Sequence, residues 1–393
     1  MVYVATLLAT LLLSAIFTPG SIFLARKWGV LDQPGERRVH HQAIPRLGGM
    51  AIFAAFWIVA FWQLGLTPML QGLFWGSLMI FAVGIADDIW SIRPLVKLGF
   101  QVLAACIPLF FGLSLSQVTL PVVGTLELGV WGALFIVLWI IGVVNTVNIS
   151  DGLDGLAAGI CIIASLILAW SAYRIEQEPA VIILITLAGA ALGFLFYNFH
   201  PAKVFMGDGG SMFLGYILGT VSIWGLLKTA TVLGLIFPLL VLGVPIADIA
   251  FAVIRRRWKK RSIIQADRGH LHHRLLDIGF NQRQAVVTLY FISLCFGLAA
   301  ICCTYELWLL AAALLILDAV LVLQIMFRRM PFTGRSPFND PSRRNTDLPS
   351  RRNTDRPAGT PAASDGSPDS VPGGDSQEDE KDLSQESLKR AEE

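Results

Sequence analysis

The chain has 393 residues, of which 55% are hydrophobic and 15% charged, with a formal net charge of +2. A mean hydropathy of +0.64 excludes an ordinary soluble globule and points to an all-α polytopic membrane protein. The five cysteines, all in apolar segments and without zinc spacing, exclude a disulfide scaffold and a zinc-ribbon fold.

Apolar stretches long enough to span a bilayer recur along the chain. They predict about eleven helices, over 2–24, 46–64, 68–86, 98–115, 128–145, 156–174, 179–197, 211–227, 231–254, 284–303 and 306–327. No Lys or Arg precedes Arg26, so the first stretch reads as a retained span rather than a signal peptide. Residues 117–129, with Pro121 and the alternation Thr125, Glu127, Gly129, suggest a small hairpin on the far face. With the N-terminus outside, the inside loops collect nineteen basic residues, from Arg26 and Lys27 to Arg328 and Arg329; the outside keeps only Arg174 and Lys228. That bias sets the orientation, with the N-terminus outside and the tail in the cytoplasm.

Two domains are expected: a membrane domain over 1–330 and a tail over 331–393. In the tail Ser, Pro, Gly, Asp, Glu and Arg replace apolar residues, and the heptapeptide PSRRNTD occurs twice. Such a sequence cannot bury enough apolar surface to offset its ordering entropy, so a disordered, solvated tail is expected. Its basic first half is suited to anionic lipid.

Under this topology every unusual polar cluster lies on the cytoplasmic face. The first, Asp32 to Gly49, holds Arg37, Arg38, His40, His41 and Arg46 after a turn signal. The second places Asp87 and Asp88 at the end of a span, followed by Arg93 and Lys97. Adjacent carboxylates repel unless a cation neutralises them, and either Mg²⁺ or the nearby basic residues would serve. The third, NTVNISDGLDGLAAG, sets Asn145, Asn148, Asp151 and Asp154 at three-residue spacing, which puts them on one face if the segment is helical. Charged groups are costly in hydrocarbon, so these lie at a membrane face or in a wet cavity. A helix cap alone accounts for one or two of them. In the fourth, Asp208 sits among Gly207, Gly209 and Gly210 before Ser211 and a new helix, a turn able to offer backbone N–H groups to an anion. The fifth, Arg255 to Arg283, has the densest positive charge and the run His270-Leu271-His272-His273. Its histidines lack zinc-signature partners, and Trp258 is the lone ring in the basic run, so phosphate suits it better than zinc or nucleic acid. Asp248 is an intramembrane acid for which packing and site roles are equally open. Carboxylates for a hard metal, cations for phosphate and a membrane location indicate phosphoryl transfer between a soluble nucleotide and a lipid.

Together the motifs DQPGERRVHHQAIPRLGG, ADDIWSIRPLVK, NTVNISDGLDGL, FMGDGGSMFLG and RGHLHHRL resemble the polyprenyl-phosphate N-acetylhexosamine-1-phosphate transferases, over residues 1–327. The resemblance implies transfer of a sugar-1-phosphate from a UDP-sugar to undecaprenyl phosphate, with release of UMP, at the bacterial plasma membrane. The cofactor it implies is Mg²⁺, with Mn²⁺ as an alternative, and a homodimer is allowed. It makes Asp208 a metal ligand, with Asn148 or Asp151 beside it. Asp87 and Asp88 would handle the lipid phosphate or share the metal, Asp151 and Asp154 would share metal and donor, and His270, His272 and His273 would hold the pyrophosphate. Arg37, His40, Arg46, Lys97 and Asn145 complete the expected substrate contacts. The Ile-Pro-Arg-Leu-Gly-Gly loop and the His-x-His-His run resemble the N-acetylglucosamine-1-phosphate branch, which favours UDP-GlcNAc over the UDP-muramoyl-pentapeptide donor. A CDP-alcohol phosphatidyltransferase would need an Ala-Arg pair after Asp-Gly, where this chain has Leu153-Asp154. A secondary transporter would place its acids at the bilayer midplane.

Overall fold

A computed structural model describes residues 1–33, 43–120, 124–226, 232–258 and 270–327. The tail with its PSRRNTD repeat lies outside the described residues, as do Arg37, His40 and Lys228. The elements are α1 (Val2–Trp28), β1 (Leu31–Asp32), β2 (Ile44–Pro45), α2 (Gly49–Leu64), α3 (Pro68–Trp90), α4 (Pro94–Phe110), β3 (Gln117–Leu120) and β4 (Gly124–Glu127). There follow α5 (Val130–Ser150), α6 (Leu156–Arg174), α7 (Glu178–Asn198), α8 (Gly207–Leu226), α9 (Val232–Val241), α10 (Gly243–Trp258), α11 (Leu271–Asp277), α12 (Gln282–Thr304) and α13 (Trp308–Phe327).

Each of the eleven predicted stretches contains helix, and seven described helices are long and apolar enough to cross a bilayer. The protein is a multi-pass membrane protein. The predicted ninth span is two helices. Pro245 has no N–H to donate to the carbonyl of Val241, so one rung is missing where α9 meets α10, although Leu242 itself still donates to the Pro238 carbonyl at 3.0 Å and accepts the Ile246 N–H at 3.1 Å. The expected hairpin is present, with Gln117 opposite Glu127 and Leu120 opposite Gly124.

Several predicted boundaries move, and the shifts at α4 and α5 matter to the site. Helix α4 begins at Pro94, a residue preorganised for the first helical position, which brings Lys97 into its first turn. Helix α5 runs on to Ser150, so Asn145 and Asn148 are helical. Asp151 to Gly155 is a turn between α5 and α6; Asp151 and Asp154 therefore do not share a helix face.

The core is built around α8, in which every residue from Gly209 to Ile223 is buried. Helices α2, α3, α5, α6, α7 and α9 surround it. On the flank α1 packs closely along α7: a side chain at Gly189 would lie 2.6 Å from the carbonyl oxygen of Leu7. The seam from α1 is a column of hydroxyls at helical spacing, Thr6, Thr10, Ser14 and Thr18, all buried. A second apolar cluster joins α6, α11, α12 and α13 through Leu156, Leu275, Leu289 and Val322.

Candidate active site

The polar end of the bundle begins at the N-terminus of α8. Gly207 has φ +74°, a left-handed conformation that glycine accepts without strain, and a Cβ there would lie 2.5 Å from both the Arg46 carbonyl oxygen and Asp88 Oδ2. The turn frees the first N–H groups of the helix, as the sequence suggests, but their anion is internal. The N–H of Asp208 donates to Asp88 Oδ1 at 2.9 Å and that of Gly209 to Asp88 Oδ2 at 3.2 Å. Arg46 Nε lies 3.1 Å from Asp88 Oδ1, and the Asp88 side chain is wholly inaccessible. The expectation that Asp88 handles the lipid phosphate or shares a metal is therefore corrected: its oxygens are taken, and it fastens α3 to the α8 turn.

Its neighbour is placed differently. Asp87 accepts the Ile92 N–H at 2.6 Å through Oδ1 and Lys97 Nζ at 2.9 Å through Oδ2. Lys97 also forms a short ion pair with Asp208 Oδ2, while Arg46 Nη2 reaches Asp208 Oδ1 at 3.1 Å. Two cations thus bridge three carboxylates drawn from α3 and α8. Removing one member would leave a buried charge without its partner, which costs on the order of 3–5 kcal/mol.

Asp208 and Arg46 line a cavity of about 850 Å³ together with Asn148, Asp151, Asp154, Asp32, His200, Lys203 and His273. Asn148 donates from Nδ2 to Ser211 Oγ at 2.9 Å, which leaves its carbonyl oxygen without a donor. The Asp151 carboxyl has no hydrogen-bond partner among the described residues. Burial, reinforced by the Asp208 charge and opposed by Arg46, pushes it up to about 7. Among the described residues no three His, Cys, Asp or Glu side chains form a metal cluster. Asp151 and the Asn148 carbonyl oxygen are open to a hard divalent cation, whereas both Asp208 oxygens are held by Arg46 and Lys97, so Asp208 would join such a set by giving up one of those cations. That set suits an ion that retains several waters.

The far wall is a pair of loops tied by long-range hydrogen bonds. Asp154 Oδ2 lies 2.7 Å from His200 Nδ1 and accepts the Ala202 N–H at 3.1 Å. Asn198 accepts the Gly155 N–H at 3.0 Å and donates to the Val204 carbonyl at 2.9 Å. Tyr290 from α12 donates to the Gly155 carbonyl at 2.5 Å.

The remaining expected residues divide. Asn145 is not at the cavity: it exchanges amide hydrogen bonds with Gln101, at 2.7 and 3.3 Å, between α4 and α5. Its expected substrate contact is corrected, because a buried amide in a bundle must find a partner. Of the three histidines, His273 alone lines the cavity. His272 is 4% exposed, and burial with His273 alongside pushes it down to about 3, so it is neutral. His270 Nδ1 lies 3.0 Å from Asp248 Oδ2, and Asp248 Oδ1 accepts the Leu271 N–H at 2.7 Å. The open role of Asp248 is thereby resolved as an anchor for α11. The pyrophosphate contact expected of three imidazoles narrows to His273. Asp32, His200, Asn198 and Lys203 were not singled out from the sequence. Their only signal is that Asn198, His200 and Lys203 belong to the segment leading into Asp208.

Residues 70–226 match glycosyl transferase family 4, a stretch that holds Asp87, Asp88, Lys97, Asn148, Asp151, Asp154 and Asp208. The chain is 38% identical over 306 residues to the probable undecaprenyl-phosphate N-acetylglucosaminyl 1-phosphate transferase of Bacillus subtilis, covering 76% of this chain and 84% of that protein. It is 34% identical to the decaprenyl-phosphate N-acetylglucosaminephosphotransferase of Mycolicibacterium smegmatis, over 68% of this chain and 73% of that protein. Similarity extends, at 29% identity, to the phospho-N-acetylmuramoyl-pentapeptide-transferase of Lactobacillus johnsonii, over 72% of this chain and 92% of that protein.

Proposed function

Because this chain belongs to glycosyl transferase family 4, the polyprenyl-phosphate sugar-1-phosphate transferases, we propose that it transfers N-acetylglucosamine-1-phosphate from UDP-GlcNAc to undecaprenyl phosphate. The products are undecaprenyl-diphosphate-GlcNAc and UMP, and the step opens cell-envelope polysaccharide synthesis. The observation that carries this reading is the cavity where Asp208, held by Lys97 and Arg46, meets the donor-free oxygens of Asn148 and Asp151. The cofactor would be Mg²⁺ held by Asp208, Asp151 and Asn148, where it would neutralise phosphate charge and polarise the phosphorus under attack.

The chain's own groups account for the rest. A lipid phosphate oxygen forms a bond to the sugar-bearing phosphorus while the bond from that phosphorus to the UMP oxygen breaks. The nucleophile is already an anion, so no base is needed. Asp87, with one oxygen on Ile92 N–H and the other on Lys97, serves to hold that lysine. Lys97 and Arg46 are paired with the three carboxylates of α3 and α8 and serve to hold Asp208 in place; offsetting the repulsion between two anionic substrates would fall to the metal. Asp88 sets the α8 turn and thereby the direction of Asp208. His273 faces the same cavity and is placed to meet donor phosphate. The excess of basic residues in the loops expected inside supports a site on the cytoplasmic face of a bacterial plasma membrane.

The test is release of UMP by purified protein given undecaprenyl phosphate and, in turn, UDP-GlcNAc, UDP-GalNAc and UDP-MurNAc-pentapeptide. Preference for UDP-GlcNAc is expected, and turnover confined to the pentapeptide donor would overturn the assignment. Chelation with EDTA should abolish release, and added Mg²⁺ should restore it.

A further inference from the structure

The turn that carries Asp151 is held from behind by a helix with no other part in the chemistry above. The Asp151 carboxyl has no hydrogen-bond partner among the described residues, so its position follows that of the Asp151–Gly155 turn. Two side chains from other elements hold the last residue of that turn. Gly155, at φ +81°, donates its N–H to Asn198 Oδ1 at 3.0 Å, and its carbonyl accepts the Tyr290 hydroxyl at 2.5 Å. The same carbonyl accepts the Gly159 N–H at 2.9 Å, the first rung of α6. The backbone therefore has a partner without Tyr290, and the hydroxyl adds a second donor. Gly159 keeps the slot for the ring open, since a Cβ there would lie 2.0 Å from Tyr290 Cζ. Nearer Asp151, a Cβ on Gly152 would lie 2.5 Å from His272 Nε2. The turn is thus seated on α11 and α12, with Tyr290 bonded across the seat.

Packing alone would be served by a phenylalanine in the same slot. The hydroxyl contributes direction, and it does so on a turn whose foremost carboxyl has no bond of its own. Groups that orient a ligand from outside its coordination sphere contribute to metal affinity without touching the ion. We infer that Tyr290 is a positioning residue for Asp151: its bond to the Gly155 carbonyl holds the turn where Asp151 meets Asn148 and Asp208 around a divalent cation. The inference rests on the proposed function and goes beyond it. It ties metal affinity to a side chain of α12 that does not line the cavity.

The experiment compares wild type with Tyr290→Phe, which keeps the ring and removes the hydroxyl, and Gly159→Ala, which pushes the ring tip from its slot. Binding of Mn²⁺ to the purified protein without substrates is read by electron paramagnetic resonance, and Asp151→Asn defines the affinity that belongs to this site. Tyr290→Phe should raise the Mn²⁺ dissociation constant about threefold to tenfold, the range that one neutral hydrogen bond spans. Gly159→Ala should move it in the same direction. The Mg²⁺ concentration for half-maximal UMP release should rise by the same factor. Saturating Mg²⁺ should return kcat to within about twofold of wild type, with KM for UDP-GlcNAc unmoved. A lower thermal midpoint with Mn²⁺ affinity unchanged would overturn the inference and leave Tyr290 as a packing residue. So would a loss of kcat that saturating Mg²⁺ does not restore, or Mn²⁺ affinity that Asp151→Asn leaves intact. Wild-type protein that binds Mn²⁺ yet releases no UMP from UDP-GlcNAc would instead overturn the functional reading, and the Mn²⁺ constants would still decide the inference.

Discussion

The seam between α1 and α7 and the end of the bundle around α8 are both rich in buried polar side chains, yet they satisfy them in opposite ways. In the seam Thr10 donates to the Thr6 carbonyl at 2.7 Å and Thr18 to the Ser14 carbonyl at 2.7 Å, each within its own helix. Ser14, donating to the Ala190 carbonyl of α7 at 2.7 Å, and Thr6, accepting from Gln63 Nε2 of α2 at 3.1 Å, are exceptions. At the α8 end the partners are far apart in the chain. Asp88 binds backbone 120 residues away, Arg46 reaches Asp208 across 162, and Asp154 meets His200 across 46. Hydroxyls that bond one turn back let a helix carry polar residues through lipid without specifying any neighbour. Carboxylates that can be satisfied only by another element specify the tertiary arrangement and hold reactive groups in register.

The contrast can be broken at either region, and the largest effect is expected at the site. Asp208→Asn should lower exchange of labelled UMP into UDP-GlcNAc by about a thousandfold or more, the scale on which charge-stabilising groups act. Near-normal exchange in folded protein would remove Asp208 from the chemistry. Asp88→Ala should abolish activity by a different route. It leaves Arg46 Nε and two backbone N–H groups without their acceptor and should cost about 3–5 kcal/mol, read as a lower thermal midpoint in detergent. In the seam, Gly193→Val would drive a side chain into the backbone of α1, and overpacking of that kind costs about 1–3 kcal/mol. Activity per folded molecule should stay within about twofold, because Gly193 itself does not line the cavity. Smallest of all, Thr10→Val removes only a hydroxyl bonded within its own helix and should change stability by less than about 1 kcal/mol. A larger loss would mean that the seam, too, depends on its polar groups for placement.

The same distinction explains what could be read from the sequence. Bilayer thickness imposes a length on apolar stretches, so the helices stand out one by one, and the division of the ninth stretch into α9 and α10 is the kind of detail that a run of apolar residues conceals. The clusters at one end were legible because topology alone brings them together. Which partner each carboxylate takes was not. Asp87 and Asp88 are indistinguishable as neighbours in the chain; only the α8 turn, absent from any local pattern, makes one an internal anchor. Asn145 and Asn148 sit one turn apart on α5, yet Gln101 occupies the first and the cavity receives the second. His200 escaped notice because a single imidazole has no spacing to betray it, and Asp154, the residue it pairs with, lies on another loop.

The burial of α8 on all sides has a consequence for how the protein is made. This helix begins with Gly, Asp, Gly, Gly and Ser, a poor segment to leave facing lipid by itself. Five of its six helical neighbours, α2, α3, α5, α6 and α7, precede it in the chain. During synthesis the sheath is therefore delivered to the membrane before the helix it must shelter. When Asp208 arrives, Arg46, Asp88 and Lys97 have already been translated to receive its charge.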